Sequence, residues 1–253
     1  MQEPRIDLSG KTALVTGASR GIGLAIAQAF VQCGADVIGV GTKITSQDLA
    51  PLFQGQPGSF QPLDCDLSDR NGIDAMISGL DDKGGQIDIL VNNAGIIRRT
   101  EAAHHSVEDW DAVMAVNLDA VFLLSRAFGA RMLDRGHGKI INVASVLSFQ
   151  GGILVPGYAA TKGAIVQLTR ALANEWASSG VNVNAVAPGY VATDNTSALQ
   201  HDPGRSAELL ARVPAGRWGQ PKDIAWPAAF LASDLAKFIH GTVLHVDGGW
   251  LAR

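Results

Sequence analysis

Short runs of apolar and β-branched residues alternate with longer amphipathic stretches along almost the whole chain. The short runs predict strands, since a strand covered on both faces is nearly continuous in apolar residues; they cover residues 12–16, 36–40, 59–63, 87–92, 139–143, 181–186 and 242–246. The longer stretches predict helices over 21–33, from Ser68 to about Lys83, from Ser106 to about Arg135, over 157–177 and from Pro221. Strand–helix alternation is typical of a parallel sheet with helices on both faces. We therefore expect an α/β protein with a doubly wound sheet of about seven strands.

No change of composition and no Pro- or Ser-rich linker divides the 253 residues, which predicts a single domain over residues 1–253. Ser68 is placed to cap the second helix. The string S-V-E-D from Ser106 to Asp109 resembles a capping box, with Asp in place of the usual Glu or Gln. Residues 193–217 are polar and the least regular part of the chain, and we expect them to form a mobile lid over a site.

Composition excludes several classes of protein. The chain has 20 basic and 24 acidic residues and no basic block, which argues against binding of nucleic acid. Its two cysteines, Cys33 and Cys65, lack metal-ligand spacing, so we expect neither a disulfide framework nor a metal site, and we expect a reducing, cytoplasmic location. No run of about 18 apolar residues and no apolar leader is present, so we expect no membrane segment.

Three glycines follow the first predicted strand, in the string Thr16-Gly-Ala-Ser-Arg-Gly-Ile-Gly23. Gly17 can take the positive φ of a tight turn, Gly21 allows backbone to approach a pyrophosphate, and Gly23 allows close packing of helix on strand. The helix that begins here points free N–H groups at the phosphates. Glycine triplets also occur in purely structural turns, but the position between first strand and first helix favours a Rossmann-type dinucleotide site.

The end of the second strand bears on which dinucleotide binds. An acidic residue there accepts from the ribose 2′-hydroxyl of NAD, but this chain has Gly41, followed by Thr42 and Lys43. Arg20 and Lys43 can neutralise the 2′-phosphate of NADP, or they can be solvated surface charges. These residues leave the choice between NAD and NADP open.

A second group of residues carries acid–base chemistry. Tyr158 and Lys162 stand at i and i+4, on one face of a predicted helix. A nearby ammonium favours the phenolate, so we expect Lys162 to lower the tyrosine pKa and to make Tyr158 a proton-transfer group. Ser145 follows the fifth strand, where its hydroxyl can bind a substrate carbonyl. Asn117, in the long preceding helix, can hold a water that relays protons to Lys162.

In this order, the motifs resemble those of the classical short-chain dehydrogenase/reductase family, from near Leu8 to the C-terminus. The resemblance rests on the glycine loop, Asn92-Asn-Ala-Gly95, Asn117, Ser145, Tyr158, Lys162 and Pro188-Gly189 with Thr193. It implies a Rossmann-type fold and a catalytic set of Asn117, Ser145, Tyr158 and Lys162. It also implies cofactor contacts by Gly17, Ser19, Arg20, Gly21, Ile22, Gly23, Asp66, Leu67, Asn93, Ala94, Gly95, Tyr158, Lys162, Pro188, Gly189, Val191 and Thr193.

Within that resemblance, individual positions have stated roles. Asp66 and Leu67 match the pair that contacts adenine, and Asn93 matches the position near the adenine ribose. Lys162 would also bind the nicotinamide ribose, and Val191 and Thr193 the nicotinamide amide. The family pattern departs at Gly41.

Longer strings resemble a narrower group, the NAD(H)-linked sugar-acid dehydrogenases of bacterial pectin and uronate breakdown. These strings start at Asn92 (N-N-A-G-I-I-R-R), Leu147 (L-S-F-Q-G-G-I), Ala187 (A-P-G-Y-V-A-T-D-N-T) and Arg205 (R-S-A-E-L-L), and the chain ends in D-G-G-W-L-A-R. The resemblance implies hydride transfer between NAD and the secondary alcohol or ketone of a sugar acid, and a homotetramer. An anionic polyol would suit four polar residues near the site, or they are surface residues: Arg98, Gln150, Asn195 and Arg205.

Two alternatives stay open. The first is a reductase of the same family that acts on another carbonyl substrate, either a 3-oxoacyl thioester or a different sugar acid; thioester carriers are acidic, and the chain shows no clear basic docking patch. The second is a dinucleotide-sensing regulator without catalysis, because a fold alone does not give function. Ser145, Tyr158 and Lys162 argue against a regulator, which needs none of them.

Overall fold

The computed structural model describes residues 5–82 and 85–253. Its centre is a seven-stranded sheet, all parallel, in the order β3-β2-β1-β4-β5-β6-β7. The strands are β1 (Thr12–Thr16), β2 (Asp36–Gly41), β3 (Ser59–Asp64), β4 (Ile89–Asn92), β5 (Gly138–Val143), β6 (Val181–Pro188) and β7 (Val243–Val246). The predicted doubly wound α/β fold is therefore confirmed.

Helices cover both faces of this sheet. They are α1 (Gly21–Gln32), α2 (Arg70–Asp82), α3 (Val107–Met114), α4 (Ala120–Arg135), α5 (Pro156–Trp176), α6 (Ser197–Gln200), α7 (Pro203–Arg212) and α8 (Pro221–Ala232). On one face, Phe30 of α1 and Ala228 of α8 belong to one fully buried apolar cluster with β1. On the other face, Phe128 of α4 and Trp176 of α5 belong to a second cluster. Each sheet face thus has its own core.

Strand β6 is buried along its whole length although it contains polar residues. All eight of its residues are buried, although the sequence V-N-V-N-A-V-A-P contains two asparagines. The amides of Asn182 and Asn184 both donate to the carbonyl of Ile239, at 2.9 and 2.8 Å. Buried amides are tolerated when they are hydrogen-bonded, and here they fix the segment that leads into β7.

One predicted helix start is wrong and another is confirmed. Helix α2 begins at Arg70 and not at Ser68, because the Asp69 carboxylate accepts from the amide of Asn71 at 3.0 Å, while the Ser68 hydroxyl donates to Asp66 at 2.7 Å. The predicted end of this helix, near Lys83, lies outside the described residues. At α3 the Ser106 hydroxyl accepts from the amide of Asp109, as one half of a capping box requires.

Residues 193–217 are more regular than expected. They contain the short helix α6 and the ten-residue helix α7. The Asp202 side chain accepts from the amide of Arg205, and Pro203 occupies the first turn, which together form a strong helix start. This D-P signal was present in the sequence. Whether the segment moves as a lid stays a prediction.

One helical stretch, residues 107–135, is long and apolar enough to cross a bilayer by length and composition, with a mean hydropathy of 1.4 over 18 residues. In this protein the stretch packs against one face of the sheet, and the side chains of Leu124, Phe128 and Met132 are at most 1% exposed in the core. The stretch is not one regular α-helix, because Ala115–Asp119 forms a π-helical turn between α3 and α4. Such turns occur frequently at functional sites.

Candidate active site

A cleft of about 460 Å³ opens at the carboxyl edge of the sheet. Its walls include the ends of β1 to β6 and the segments that follow them, at the point where the strand order reverses between β1 and β4. Every residue that was predicted to bind cofactor lines this cleft: Gly17, Ser19, Arg20, Gly21, Ile22, Gly23, Asp66, Leu67, Asn93, Ala94, Gly95, Tyr158, Lys162, Pro188, Gly189, Val191 and Thr193. Ser145 lines it as well.

The glycine loop has the close packing that its sequence predicts. Gly17 has a φ of +66°, and a Cβ placed on it would lie 2.9 Å from the Cα of Ala94. A Cβ on Gly23 would lie 2.7 Å from the carbonyl carbon of Gly17. Neither position has room for a side chain, so the loop lies directly against the end of β4.

Thr16 and Asn93 join the loop to β4. The Thr16 hydroxyl donates to the carbonyl of Val91 at 3.2 Å and accepts from the amides of Asn93 and Ala94 at 2.9 and 3.0 Å. In return, the Asn93 side chain donates to the carbonyl of Thr16 at 2.8 Å. Thr16 was read from the sequence only as a strand residue; its signal is a hydroxyl directly before the first loop glycine.

The residues of this cleft fit a nicotinamide dinucleotide. Helix α1 begins at Gly21, its N-cap residue Arg20 makes no side-chain capping bond, and its first turn has no acidic residue. Its first amides and the positive end of its dipole therefore face the cleft, which suits a pyrophosphate. A group held here would be bound by the glycine loop and by Asn93.

At the predicted adenine end, one carboxylate oxygen of Asp66 accepts from the amide and the hydroxyl of Ser68, at 2.9 and 2.7 Å. These bonds hold the pKa of Asp66 below its usual range. Gly41 and Thr42 line the cleft nearby. The Arg20 guanidinium lies 3.0 Å from the carboxylate of Asp194, and both side chains are exposed, so this ion pair is weak and Arg20 can turn towards a ligand.

Helix α5 carries Tyr158 and Lys162 into the other end of the cleft. The Lys162 ammonium lies 5.6 Å from the centre of the Tyr158 ring and donates to the carbonyl of Val143 at 2.6 Å. Lys162 is only 4% exposed, and burial lowers its pKa to about 8. Lysine is therefore close to half-protonated in mildly alkaline solution.

Tyr158 differs from the expectation. Burial raises its pKa above the usual value, whereas the hydrogen bond with Ser145 and the charge of Arg99 act in the opposite direction. The expectation that Lys162 lowers this pKa is not supported by the causes that act on Tyr158 here. In this state the phenol keeps its proton at neutral pH, with Ser145 beside it.

Asn117 lies beneath the cleft, in the π-helical turn. Its side chain accepts from the amide of Ile96 at 2.9 Å and donates to the carbonyl of Ile96 at 3.0 Å. Gly95 separates it from Lys162: a Cβ on Gly95 would lie 3.4 Å from the Asn117 oxygen and 3.8 Å from the Lys162 nitrogen. Asn117 thus fixes the backbone after β4, and its role in a water relay stays a prediction.

The four predicted substrate residues separate into two pairs. Arg98 and Asn195 line the cleft. Gln150 and Arg205 are not among its lining residues, and the Arg205 guanidinium pairs with Glu208 at 2.8 Å on α7. The contacts with substrate that were predicted for Gln150 and Arg205 therefore stay predictions.

The sequence reasoning did not single out Arg99, which is exposed and is not among the lining residues of the cleft. The neighbouring Arg98 is paired with the carboxylate of Asp109 at 3.0 Å. Arg99 instead donates to the carbonyl of Asn195 at 2.8 Å, and its charge acts on Tyr158. The pair R-R after N-N-A-G-I-I is visible in the sequence, but the sequence does not show which of the two charges acts on the tyrosine.

Comparison with known families and proteins gives close matches. A family model described as enoyl-(acyl carrier protein) reductase matches residues 17–251. The 2-dehydro-3-deoxy-D-gluconate 5-dehydrogenase of Pseudoalteromonas atlantica is 52% identical over 251 residues, covering 98% of this chain and 99% of the relative. The Escherichia coli protein of the same name is 47% identical over 247 residues, covering 97% of each chain. A 3-oxoacyl-[acyl-carrier-protein] reductase of Vibrio cholerae is 44% identical over 244 residues, covering 96% and 98%.

Solved structures agree with these matches. A putative NAD(P)-dependent gluconate 5-dehydrogenase from Beutenbergia cavernae, with NADP bound at low occupancy, superposes with a TM-score of 0.94 at 50% identity and covers 99% of this chain and 100% of its own. A gluconate 5-dehydrogenase from Burkholderia cenocepacia, in complex with NADP and tartrate, has a TM-score of 0.92 at 40% identity and covers 98% of each chain.

Proposed function

The chain belongs to the short-chain dehydrogenase/reductase family, and from that premise we propose that it is a 2-dehydro-3-deoxy-D-gluconate 5-dehydrogenase. It is an NAD(P)-dependent oxidoreductase that acts on CH–OH groups. The observation that carries the proposal is the group of Ser145, Tyr158 and Lys162 at one end of a dinucleotide-sized cleft. Four relatives of this name, 47 to 52% identical over nearly the whole chain, support the substrate.

The proposed reaction is a reversible conversion between a 5-keto-uronate and 2-keto-3-deoxygluconate. The bound cofactor supplies the hydride chemistry. Ser145 orients the substrate oxygen. The Tyr158 hydroxyl donates its proton to that oxygen in reduction, and in oxidation the Tyr158 phenolate takes the proton of the substrate alcohol. The raised pKa of Tyr158 suits the acid role, since the phenol is protonated at neutral pH. Burial lowers the pKa of Lys162 to about 8, so its side chain can gain or lose a proton near neutral pH. Lys162 thereby replaces the proton that Tyr158 gives up in reduction.

The choice of cofactor rests on two residues. The sequence resemblance favours NAD, whereas three solved relatives contain NADP. Gly41 provides no carboxylate that would repel a 2′-phosphate, and the weakly paired Arg20 lies on the same wall of the cleft. We infer that the site accepts both cofactors.

An anionic substrate needs a cation near the reacting carbon. Arg99 supports this role, because its charge reaches Tyr158 and its partner on Asn195 is a neutral carbonyl. Arg98 lines the cleft and pairs with Asp109 at 3.0 Å; this ion pair is exposed and therefore weak, so Arg98 is the alternative cation for this role. We propose that Arg99 binds the carboxylate or hydroxyl groups of the sugar acid.

Steady-state kinetics test the function. The substrates are the 5-keto-uronate, gluconate and a short 3-oxoacyl thioester, each measured with NADH or NADPH, or with the oxidised cofactor for the alcohol. We expect the 5-keto-uronate to have the highest kcat/KM with both reduced cofactors, and Tyr158→Phe to abolish turnover while it leaves the cofactor Kd largely unchanged. Preference for the thioester would favour a 3-oxoacyl reductase, which relatives such as the Vibrio cholerae enzyme support. Cofactor binding without turnover of any ketone would favour a regulator.

The two arginines provide a matched pair of variants. Arg99→Leu removes the proposed substrate charge and should raise the KM for the sugar acid at least about tenfold, since a hydrogen bond to a charged group contributes roughly 1.5–3 kcal/mol. Arg98→Leu removes the arginine that lines the cleft beside Asp109, and it should raise the KM less than Arg99→Leu does if Arg99 is the cation that binds the substrate. Equal effects of the two variants would contradict the assignment of Arg99.

The homotetramer and the cytoplasmic location remain proposals. Two large apolar side chains on outer helices, Phe122 of α4 and Trp226 of α8, are each 45% exposed, which supports contact between subunits. Size-exclusion chromatography with light scattering would give the mass, and a monomer of 26.5 kDa would contradict the assembly.

A further inference from the structure

Ser148, three residues after Ser145, joins the two halves of the candidate catalytic group. Its hydroxyl accepts from the backbone amide of Ser145 at 3.2 Å and donates to the backbone carbonyl of Lys162 at 2.7 Å. One side chain therefore links the loop that carries Ser145 to the helix that carries Tyr158 and Lys162.

The other contacts in this region hold the same two elements together. The Lys162 side chain donates to the carbonyl of Val143, at the end of β5 and two residues before Ser145. The Ser145 hydroxyl accepts from the amide of Leu147 at 3.1 Å, which fixes its turn. The bond from Ser148 is the one that fixes the backbone of Ser145 itself against α5, and Tyr158 lies one helical turn before Lys162 on the same helix.

We propose that Ser148 is a positioning residue for the reaction, whose hydroxyl sets the separation between Ser145 and Tyr158. The inference rests on the proposed roles of Ser145 and Tyr158. Ser148 touches neither reacting group; it acts through the backbone atoms of Ser145 and Lys162. A misplacement of about 1 Å between catalytic groups can cost on the order of 100-fold in rate, so loss of this link should appear in kcat.

The chain offers a matched control. The hydroxyl of Ser233 also accepts from an amide of a short turn, that of Leu235 at 3.3 Å, and donates to a helix carbonyl, that of Phe230 at 2.8 Å. It follows α8 and is not a lining residue of the cleft. Ser233→Ala therefore removes the same pair of hydrogen bonds without any proposed effect on catalysis.

Kinetics form the first test, with the ketone that the wild-type enzyme reduces fastest. Ser148→Ala should lower kcat at least about tenfold with an unchanged cofactor Kd, and Ser148→Thr, which keeps the hydroxyl, should recover most of that loss. Ser233→Ala should keep the wild-type kcat. A kcat of Ser148→Ala within about twofold of the wild type would overturn the proposal, and so would an equal loss in Ser148→Thr.

A spectroscopic test is independent of the substrate, so it separates this proposal from the proposed function. The chain has only two tyrosines, Tyr158 and Tyr190. In a Tyr190→Phe background, tyrosinate absorbance reports the ionisation of Tyr158 alone. The hydrogen bond with Ser145 lowers the pKa of Tyr158, so Ser148→Ala should shift the titration to higher pH and Ser233→Ala should not. An unshifted titration with Ser148→Ala would refute the positioning role even if no substrate were known.

Discussion

Replacement of Gly17 by alanine should damage both the stability of the protein and its affinity for the cofactor. Two separate terms contribute. The first is the φ of +66°, which costs an alanine roughly 1–2 kcal/mol. The second is the contact with the residues that follow β4. The new Cβ would lie 2.8 Å from the side-chain nitrogen of Asn93 and 2.9 Å from the Cα of Ala94, so the loop must move by about half an ångström to restore ordinary contact. Overpacking of this kind costs about 1–3 kcal/mol, and the displaced loop is the one that faces the phosphates.

Gly55 separates these two terms. It has a similar φ of +74°, but a Cβ on it would meet nothing within 4 Å. Gly55→Ala should therefore cost only the backbone term, about 1–2 kcal/mol in urea unfolding, and leave the Kd for the cofactor unchanged. Gly17→Ala should lose more stability than Gly55→Ala and raise the cofactor Kd at least about tenfold, as measured by calorimetry. If both variants bound the cofactor like the wild type, the packing of the glycine loop against β4 would not be what organises the site.

Two further predictions concern stability. Burial in the folded state lowers the Lys162 pKa to about 8, so between pH 8 and the ordinary lysine pKa of 10.5 the unfolded chain binds more protons than the folded protein. Lys162→Met should therefore be more stable than the wild type at pH 7, with an advantage that shrinks towards pH 10 by at most about 3 kcal/mol. A stability difference in urea unfolding that does not change with pH would contradict the buried charge. Trp250 is 3% exposed beneath the Arg212 guanidinium of α7, at 4.0 Å. Trp250→Ala should cost about 3–5 kcal/mol in unfolding, against less than about 1 kcal/mol for the half-exposed Leu52→Ala, and equal costs would refute the view that the C-terminal segment supports this helix.

The sheet and the longer helices could be predicted because each strand, and each helix outside residues 193–217, had a local signal. The strands are short apolar runs bounded by glycine or by polar residues, and the parallel order follows from their alternation with helices. The helix start at Arg70 was misplaced because Ser68 and Asp69 both carry capping side chains, and only the structure shows that Ser68 bonds to Asp66 instead. Two adjacent residues can each cap the same helix, and the local sequence does not show which of them does so.

The π-helical turn at Asn117 had no comparable signal. Its sequence, A-V-N-L-D, continues the apolar periodicity of the helices on either side. The turn is favoured by a tertiary contact, the paired hydrogen bonds between the Asn117 amide and the backbone of Ile96. A feature that depends on a partner 21 residues away cannot be read from a local pattern, although the position of Asn117 in the family motif was found without it.

The charges and protonation states of the site residues could be predicted least well from the sequence. Arg98 and Arg99 are adjacent and identical in type, yet one is paired with Asp109 and the charge of the other acts on Tyr158. The i, i+4 spacing correctly placed Lys162 beside Tyr158, but the same burial that brings them together raises the tyrosine pKa and lowers the lysine pKa. Spacing determines which groups meet, whereas burial determines which of them holds the proton. It follows that the pH dependence of this enzyme should respond to changes in Ser145 and Arg99, which favour the phenolate, as well as to changes in the lysine of the motif.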